Sequence, residues 1–423
     1  MAAVRGRPSA HRFRRAQRRV FAMGSRAFLL AVLLFALWST ACSSAADPSQ
    51  TTAGDASAGS PPTSAAGEEA DEEPWPDGFV PGVSTAGWRT DFTKRIVSLG
   101  EIESGGPGKD GIPAIDEPVF TSTGEADRFL APDEPVMVVR RGADARAYPI
   151  QILIWHEIVN DVVGGDAIAV TFCPLCNTAL AFERTVGGRV LDFGTTGNLR
   201  HSDLVMYDRQ TETWWQQASG EAIIGEFVGT TLEPVAASIF SYADFRAAYP
   251  TGQVLSRETG HDRPYGQNPY EGYDTGDPFF FRGDVDARLR PTERVVAVVV
   301  GDEAVAYPFS RLESVRTVND AVGGRAIAVF FKPGTRSALD AEAIRNARLV
   351  GAGVVFDRSF GGRDLTFRAD GDLFRDDETG TRWDIAGRAV SGPLAGSQLE
   401  SVAHGNHFWF AWAVFRPETR VYG

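Results

Sequence analysis

The sequence has little cysteine and little histidine. Three cysteines and six histidines occur in 423 residues, and only Cys173 and Cys176 lie beyond the N-terminal 42 residues. A closed zinc site needs four ligands, so a single CxxC pair excludes a site built from cysteine alone. The sequence also lacks a glycine-rich phosphate loop, a Ser-His-Asp order and an HExxH helix, and these classes of site have no support.

Basic residues are scarce outside the N-terminus. Eight of the 42 basic residues lie before Cys42, where there is no acid, so the remaining 34 face 55 acidic residues, a formal charge of -21. Such a surface repels the phosphates of nucleic acid and the headgroups of anionic lipids. We therefore expect no nucleic-acid partner, and we expect membrane attachment only through the N-terminus.

The N-terminal 42 residues have the pattern of an export signal. An arginine-rich start is followed by 12 apolar residues at 27–38, too few to span a bilayer comfortably, and then by Ser39-Thr40-Ala41-Cys42. The last four residues are similar to the lipobox of bacterial lipoproteins, with Ser39 in place of the usual Leu. We expect lipid attachment at Cys42 and a location in the cell envelope, on the outer face of the cytoplasmic membrane, or secretion. An uncleaved anchor helix is the alternative.

Residues 43–76 are rich in Ser, Ala, Thr, Gly and Pro and end in an acidic run. This composition predicts a disordered spacer. Such a spacer would tether a folded body to an anchored Cys42, although a remnant of ordinary signal cleavage would have the same composition.

The rest of the chain contains an internal duplication. AYPIQILIWHEIVNDVVGGDAIAVTFCPLC starts at Ala147, and AYPFSRLESVRTVNDAVGGRAIAVFFKPGT starts at Ala306, with no gap between them. Twelve of the 16 residues at 159–174 are identical to those at 318–333. The duplication defines an N-terminal segment with a first repeat at 77–256, a tyrosine-rich connecting loop at 257–292 and a second repeat at 293–423.

Strand signals dominate both repeats. Short β-branched and aromatic runs alternate with turn pairs such as Gly164-Gly165, whereas Ser241 to Asp244 predicts the start of a short helix that ends before Pro250. Strands and long amphipathic helices do not alternate regularly, which argues against a doubly wound sheet. We predict a β-rich α+β fold in which two tandem homologous units are related by approximate two-fold symmetry.

The pair Cys173-Pro174-Leu175-Cys176 is the strongest chemical signal. A disulfide across so small a ring would stabilise the fold by only about 2 kcal/mol in the chain-entropy model. Redox exchange or metal ligation is therefore the better interpretation of the motif. In an exported protein the pair is expected to be oxidised unless a reductant or a metal holds it.

The second repeat provides an internal comparison. It carries Lys332 and Thr335 at the positions of the two cysteines, and His156 and Glu157 are replaced as well. This joint loss predicts that His156 assists a thiolate of Cys173, with Glu157 orienting the imidazole. Drift of a degenerate copy would produce the same loss.

Metal binding is the alternative chemistry. Zinc or copper would need ligands in addition to the thiols, and the sequence assigns no metal ligand and no cofactor. The candidates to supply them are the histidines beyond the leader: His156, His201, His261, His404 and His407.

Five stretches resemble the bacterial family grouped as a domain of unknown function, DUF3179: KDGIPAIDEPVF at Lys109, WHEIVNDVVGG at Trp155, VTFCPLCNTALAFER at Val170, VMYDRQTETWWQ at Val205 and HFWFAWAVFRPET at His407. They cover most of the chain beyond the spacer, and the family has no established activity. Some members resemble selenoproteins with selenocysteine in the CPLC-type motif, which implies a redox position at Cys173 or Cys176.

The sequence therefore predicts an extracytoplasmic thiol-disulfide protein, in which Cys173 attacks and Cys176 resolves by analogy with glutaredoxin-type centres. Its partner would be a redox protein or a small thiol or peroxide. A zinc or copper protein is one alternative. The other is a non-enzymatic, ligand-binding surface lipoprotein that uses aromatic and histidine side chains: Tyr265, Tyr270, His407 and Trp409.

Overall fold

The computed structural model describes residues 83–423. The predicted export signal, the spacer at 43–76 and Cys42 lie outside these residues. Within them, no helix combines the length and the apolar character needed to cross a bilayer.

Strands are the main elements between residues 83 and 256, where the structure has 16: β1 (Ile102–Ser104), β2 (Phe120–Ser122), β3 (Pro135–Arg141), β4 (Asp144–Pro149), β5 (Ile158–Val163), β6 (Asp166–Cys173), β7 (Thr178–Glu183), β8 (Thr185–Val186), β9 (Arg189–Val190), β10 (Phe193–Arg200), β11 (Asp203–Asp208), β12 (Trp214–Gln216), β13 (Glu221–Ile224), β14 (Pro234–Val235), β15 (Ala237–Ser241) and β16 (Gln253–Leu255). The helices are short: α1 (Thr123–Ala126), α2 (Ile150–His156), α3 (Tyr242–Ala248) and a 3-10 turn at Leu99–Glu101.

The second repeat adds 13 strands between residues 293 and 423: β17 (Arg294–Val300), β18 (Glu303–Pro308), β19 (Thr317–Val322), β20 (Arg325–Lys332), β21 (Ala352–Asp357), β22 (Ser359–Phe360), β23 (Arg363–Asp364), β24 (Phe367–Asp370), β25 (Leu373–Asp376), β26 (Arg382–Trp383), β27 (Ala389–Ser391), β28 (His404–Phe408) and β29 (Arg420–Val421). Its helices are α4 (Phe309–Val315), α5 (Trp409–Phe415) and a 3-10 turn at Ile344–Asn346. A further 3-10 turn, Tyr273–Thr275, lies in the connecting loop.

The β-rich composition predicted from the sequence is confirmed, and so are the local signals behind it. Gly164 and Gly165 both have positive φ, 61° and 98°, in the two-residue turn between β5 and β6. Glycine is favoured there because tight hairpin turns of this length need positive φ. Helix α3 begins where predicted, since the Ser241 side chain accepts a hydrogen bond from the Asp244 backbone amide.

The same strand pairing occurs in both repeats. β15 pairs antiparallel with β3, and β16 pairs parallel with β4; in the second repeat β28 pairs antiparallel with β17, and β29 parallel with β18. This recurrence follows from the duplicated sequence. A two-fold axis relating the repeats, and their boundaries at 256 and 293, stay predictions.

The two repeats share their sheets and their core. β28 of the second repeat joins β7 of the first, so strands β29-β18-β17-β28-β7-β6-β5 form one path through an eight-stranded sheet. The core is also shared, because Val136 and Phe245 of the first repeat belong to the same buried cluster as Phe330, Phe356 and Trp383 of the second. The end of β6, which carries the CPLC motif, is consequently positioned by both repeats.

Each repeat also contains a buried aspartate that holds a tryptophan. Asp208 accepts hydrogen bonds from the Thr211 amide at 2.7 Å and from Trp215 Nε1 at 3.0 Å. In the second repeat Asp376 accepts the equivalent bonds, at 2.6 Å from the Thr379 amide and at 2.9 Å from the Trp383 indole. The Thr211 and Thr379 hydroxyls donate to the same carboxylates, at 2.8 Å in both repeats, so these bonds explain why both repeats keep Thr and Trp at this spacing.

We expect Asp208→Ala to lower the free energy of unfolding by about 3 kcal/mol, because the substitution leaves the buried Trp215 indole N–H without an acceptor. Urea unfolding measures the effect. Asp372→Ala, at an exposed position, is the control and should have little effect. Equal unfolding midpoints for the two variants would contradict the anchoring role.

Candidate functional site

The two cysteines lie in the hairpin between β6 and β7. Cys173 is the last residue of β6 and pairs with Thr178, and the Asn177 amide donates to the Pro174 carbonyl at 3.3 Å to close the turn. Asn177 has φ 49°, a conformation that asparagine tolerates better than most residues. Both cysteines are free thiols, and their side chains are 1% and 0% exposed.

A carboxylate from a different hairpin completes the site. Asp203 begins β11, and the Cys176 thiol donates to its Oδ1 at 2.9 Å. Gln216 Nε2 donates to the other oxygen at 2.6 Å, and the Ala218 amide donates to the same oxygen at 2.8 Å. The Sγ atoms of Cys173 and Cys176 and a carboxylate oxygen of Asp203 all lie within 4.8 Å of one another.

The turn before β11 sets the position of Asp203. His201 and Ser202 form it with φ 52° and 69°, although neither is glycine. The Cys173 thiol lies 3.7 Å from the Ser202 carbonyl, and the Ser202 hydroxyl donates to the Phe279 carbonyl of the connecting loop. The turn therefore contacts both the thiols and the loop.

Burial makes every acid in this site weak. It raises the pKa of Asp203 to about 6 in spite of the hydrogen bonds that Asp203 accepts. Burial, with a smaller effect from the Asp203 charge, raises the pKa of Glu157 to about 8. The pKa of each thiol is also raised, mainly by burial, and more strongly for Cys176. In residues 83–423, no lysine, arginine or histidine forms an ion pair with Asp203 or Glu157.

His156 does not make the contact expected from the sequence. Its Nδ1 lies 2.7 Å from the Pro113 carbonyl and its Nε2 lies 2.6 Å from the Tyr265 hydroxyl, so both ring nitrogens have partners away from the thiols. Burial lowers the pKa of His156 to about 4, which keeps the ring neutral. In this structure the imidazole holds the connecting loop, and the role of His156 in assisting Cys173 stays a prediction.

Two tyrosines of the connecting loop lie close enough to the thiols to interact with them electrostatically. The pKa of the half-buried Tyr270 is raised well above its usual value by burial and by the nearby charges of Glu157 and Cys173. Tyr273 is buried, and Cys176 and Cys173 contribute to the upward shift of its pKa. Of the two tyrosines predicted to bind a ligand, Tyr270 lies at the site, whereas Tyr265 is occupied by His156.

The aromatic segment of the second repeat, which contains His407 and Trp409, is buried. The His407 Nδ1 lies 2.9 Å from the Thr178 hydroxyl, next to the CPLC hairpin, but the side chain is fully buried. The Trp409 ring is also fully buried and donates from Nε1 to the Asp286 carbonyl at 3.0 Å. A ligand surface at Trp409 would need this packing to open.

Three of the histidines proposed as extra metal ligands have their contacts elsewhere. His201 Nε2 is 3.5 Å from Glu101, the His404 Nδ1 lies 2.7 Å from the Val402 carbonyl, and the His261 ring lies 5.3 Å from that of His156. Across residues 83–423, the group of ligand atoms around the thiols contains Asp203 and no histidine.

Comparison with known families places this hairpin in a wider context. The profile of a family described as "Protein of unknown function (DUF3179)" matches residues 109–419. The chain belongs to the DUF3179 family. No curated protein and no solved structure matches it. The thiols, Asp203, Glu157 and the connecting loop all fall inside the segment that defines a DUF3179 protein.

The second repeat of this DUF3179 protein shows what replaces the site. Lys332, at the position of Cys173, forms an ion pair with Asp244 at 2.5 Å, and Thr335 is buried at the position of Cys176. Arg316 has φ 64°, nearly the 60° of Glu157 in the first repeat. The positive φ at Glu157 therefore occurs in both repeats, whereas the acidic side chain occurs only in the repeat that carries the thiols.

Asp203 and Gln216 are the site residues that sequence reasoning missed. They lie 27 and 40 positions after Cys176, on strands β11 and β12. The turn that positions Asp203 consists of His201 and Ser202, which give no turn signal of the kind that Asn-Gly or Gly-Gly would provide.

Proposed function

We propose that this DUF3179 protein is a metal-binding protein, with Cys173, Cys176 and Asp203 as ligands and Zn²⁺ as the preferred ion. The observation that carries the proposal is the approach of two sulfurs and a carboxylate oxygen to within 4.8 Å of one another in a buried site. Thiolate and carboxylate ligands in one site suit Zn²⁺, which accepts both.

The charge of the site supports the binding of a cation. Four buried acids, namely Asp203, Glu157 and the two thiols, interact in this site, and the structure of residues 83–423 places no basic side chain in an ion pair with them. Burying an uncompensated carboxylate is costly, so the acids are either protonated or neutralised by a bound cation. A divalent metal would neutralise them and bind the thiolates directly.

The hydrogen bonds to Asp203 also support this role. Gln216 and the Ala218 amide both donate to Oδ2 and leave Oδ1 with the Cys176 thiol as its partner. Contacts of this kind fix the orientation of a ligating carboxylate. When a metal displaced the thiol proton, Oδ1 would be free to bind.

Metal analysis of the purified protein tests the proposal. We expect close to one zinc per chain, released by a chelator and restored by Zn²⁺, and a sulfur-to-metal absorption band when Cd²⁺ is added to the metal-free protein. Thr335→Ser is the matched control, because it alters the corresponding buried position of the second repeat and should leave the zinc content unchanged. A protein that takes up neither ion would contradict the metal site.

A thiol-disulfide function is the second candidate. The observation that favours it is that both cysteines are free and lie three residues apart, with their sulfurs close together. Oxidation would release two protons and pass two electrons to a disulfide or a peroxide. The buried thiols are protonated at neutral pH, which makes them poor nucleophiles in this conformation. A reversible disulfide in a protein that holds no metal would favour this candidate.

We propose further that the site works outside the cytoplasm. The arginine-rich start, the short apolar run and Cys42 support export with lipid attachment. A bound metal would also protect the thiols from oxidation there. Metabolic labelling with a radioactive fatty acid tests the anchor: wild-type protein should be labelled and Cys42→Ala should not.

A further inference from the structure

A pocket lies away from the thiols, where the two repeats meet. The β3–β4 turn, the segment that follows α3 and residues on either side of β27 line it as an open cleft, with a volume of about 380 Å³. Sites for small organic molecules have volumes of this size.

The walls of the pocket combine an apolar surface with two arginines. Ala145, Ala248 and Tyr249 supply apolar surface, while Arg140 enters from the first repeat and Arg388 from the second. The Arg388 guanidinium lies 5.8 Å from the centroid of the Tyr249 ring. Both arginines act on the Tyr249 hydroxyl, since their charges oppose the rise in its pKa that burial causes.

Neither arginine is neutralised by a close ion pair. Within residues 83–423, no carboxylate oxygen lies within 4.0 Å of either guanidinium, although acidic residues greatly outnumber basic ones in this part of the chain. Asp384 interacts electrostatically with Arg388. Its Oδ1 accepts a hydrogen bond from the Arg388 backbone amide at 2.9 Å. The guanidinium of Arg140 donates to the Gly142 carbonyl at 2.9 Å, whereas that of Arg388 makes no hydrogen bond within the described part of the chain.

The second repeat shows that the fold does not require these side chains. Strands β3 and β17 have equal lengths and equivalent pairings, and Val299 stands at the position of Arg140. Arg416 stands at the position of Tyr249, before the proline that both repeats share. A tyrosine between two arginines is therefore specific to this pocket.

We propose that the pocket binds a small organic anion, with its carboxylate or phosphate held between Arg140 and Arg388 and its apolar body packed on Tyr249. Guanidinium groups suit both oxyanions, because their planar donors match two acceptor oxygens at once. Tyr249 adds a flat apolar surface and a hydroxyl. The proposal is independent of the metal site, since the pocket contains none of its ligands.

Calorimetric titration of the full chain with benzoate, phenyl phosphate and neutral benzamide tests the proposal. We expect at least one of the two anions to bind and benzamide not to bind. Binding of benzoate alone would identify a carboxylate site, and binding of phenyl phosphate alone a phosphate site. Failure of both anions to bind, or equal binding of benzamide, would overturn the proposal.

Substitutions localise the binding. Arg140→Gln and Arg388→Gln should each weaken it at least tenfold and leave the zinc content unchanged. Arg416→Gln is the matched control: Arg416 is exposed, has no ion-pair partner among residues 83–423 and stands at the second-repeat position that corresponds to Tyr249. If Arg416→Gln weakened binding as much as the pocket variants do, the effect would be one of overall charge and the proposal would be wrong. Thermal unfolding of each variant confirms that the fold is intact.

Discussion

Cys176→Ser is expected to weaken zinc binding more than 100-fold and to leave the purified protein essentially without metal. The substitution removes a thiolate ligand, and changes to residues that merely orient ligands already cost 10- to 100-fold in affinity in comparable sites, as an order of magnitude. A serine hydroxyl at this position stays protonated at neutral pH and is a far weaker ligand. Competition with a chromophoric zinc chelator measures the affinity.

A graded series of variants separates ligation from packing. Asp203→Asn should also lower the affinity strongly, because the amide cannot supply negative charge. Gln216→Ala should cost about 10- to 100-fold, since Gln216 orients Asp203 through the 2.6 Å bond to Oδ2. Thr335→Ser should change the affinity less than twofold. Full zinc occupancy in Cys176→Ser would show that Cys176 is not a ligand and would contradict the proposed function.

The sequence predicted the architecture better than the site because the two depend on different signals. Strands, glycine turns and the short helix at Ser241 are local features, and the duplication made the strands and glycine turns visible twice. The site depends on a contact between the CPLC hairpin and the turn before β11, and no local pattern reports that contact. His201 and Ser202 adopt positive φ without the residues that usually mark it, so Asp203 gave no signal.

The hypothesis for His156 also depends on a contact that no local pattern reports. The loss of His156 in the second repeat, together with the cysteines, is consistent with a shared reaction. The structure gives another reason for the loss: His156 binds Tyr265, which belongs to the connecting loop and not to either repeat. Glu157 came from the same comparison, and the charge of Asp203 contributes to its raised pKa, whereas its role in orienting His156 stays a prediction.

The buried acids predict an unusual pH dependence for the metal-free protein. A carboxyl group whose folded pKa is raised stabilises the fold at low pH, and this contribution is lost as the pH rises through the folded value. For Glu157 the window runs from the usual value of 4.5 to about 8. The buried histidines act in the opposite direction, because burial lowers the pKa of His156 and His404 to about 4 and that of His407 to about 3.

A comparison with Glu157→Gln isolates the carboxyl group, because the histidine contributions are common to both proteins. Glutamine keeps the shape of the side chain and cannot ionise. We expect the variant to gain stability relative to wild type as the pH rises from 4 to 9, with a total change on the order of 5 kcal/mol, since each pKa unit corresponds to about 1.4 kcal/mol. Urea unfolding of both metal-free proteins at five pH values measures the difference.

Bound zinc should reverse the pH dependence of the wild-type protein's stability. Metal binding requires deprotonated ligands, so the stabilisation by a fixed zinc concentration should grow with pH across the range in which Asp203 and the thiols lose their protons. Glu313→Gln, at an exposed position of α4, is the control and should run parallel to wild type with and without the metal. A stability difference between Glu157→Gln and wild type that stays constant from pH 4 to 9 would mean that Glu157 ionises normally. The buried acids would then not need a cation, and the charge argument for a metal would fail even if the sulfurs remain close together.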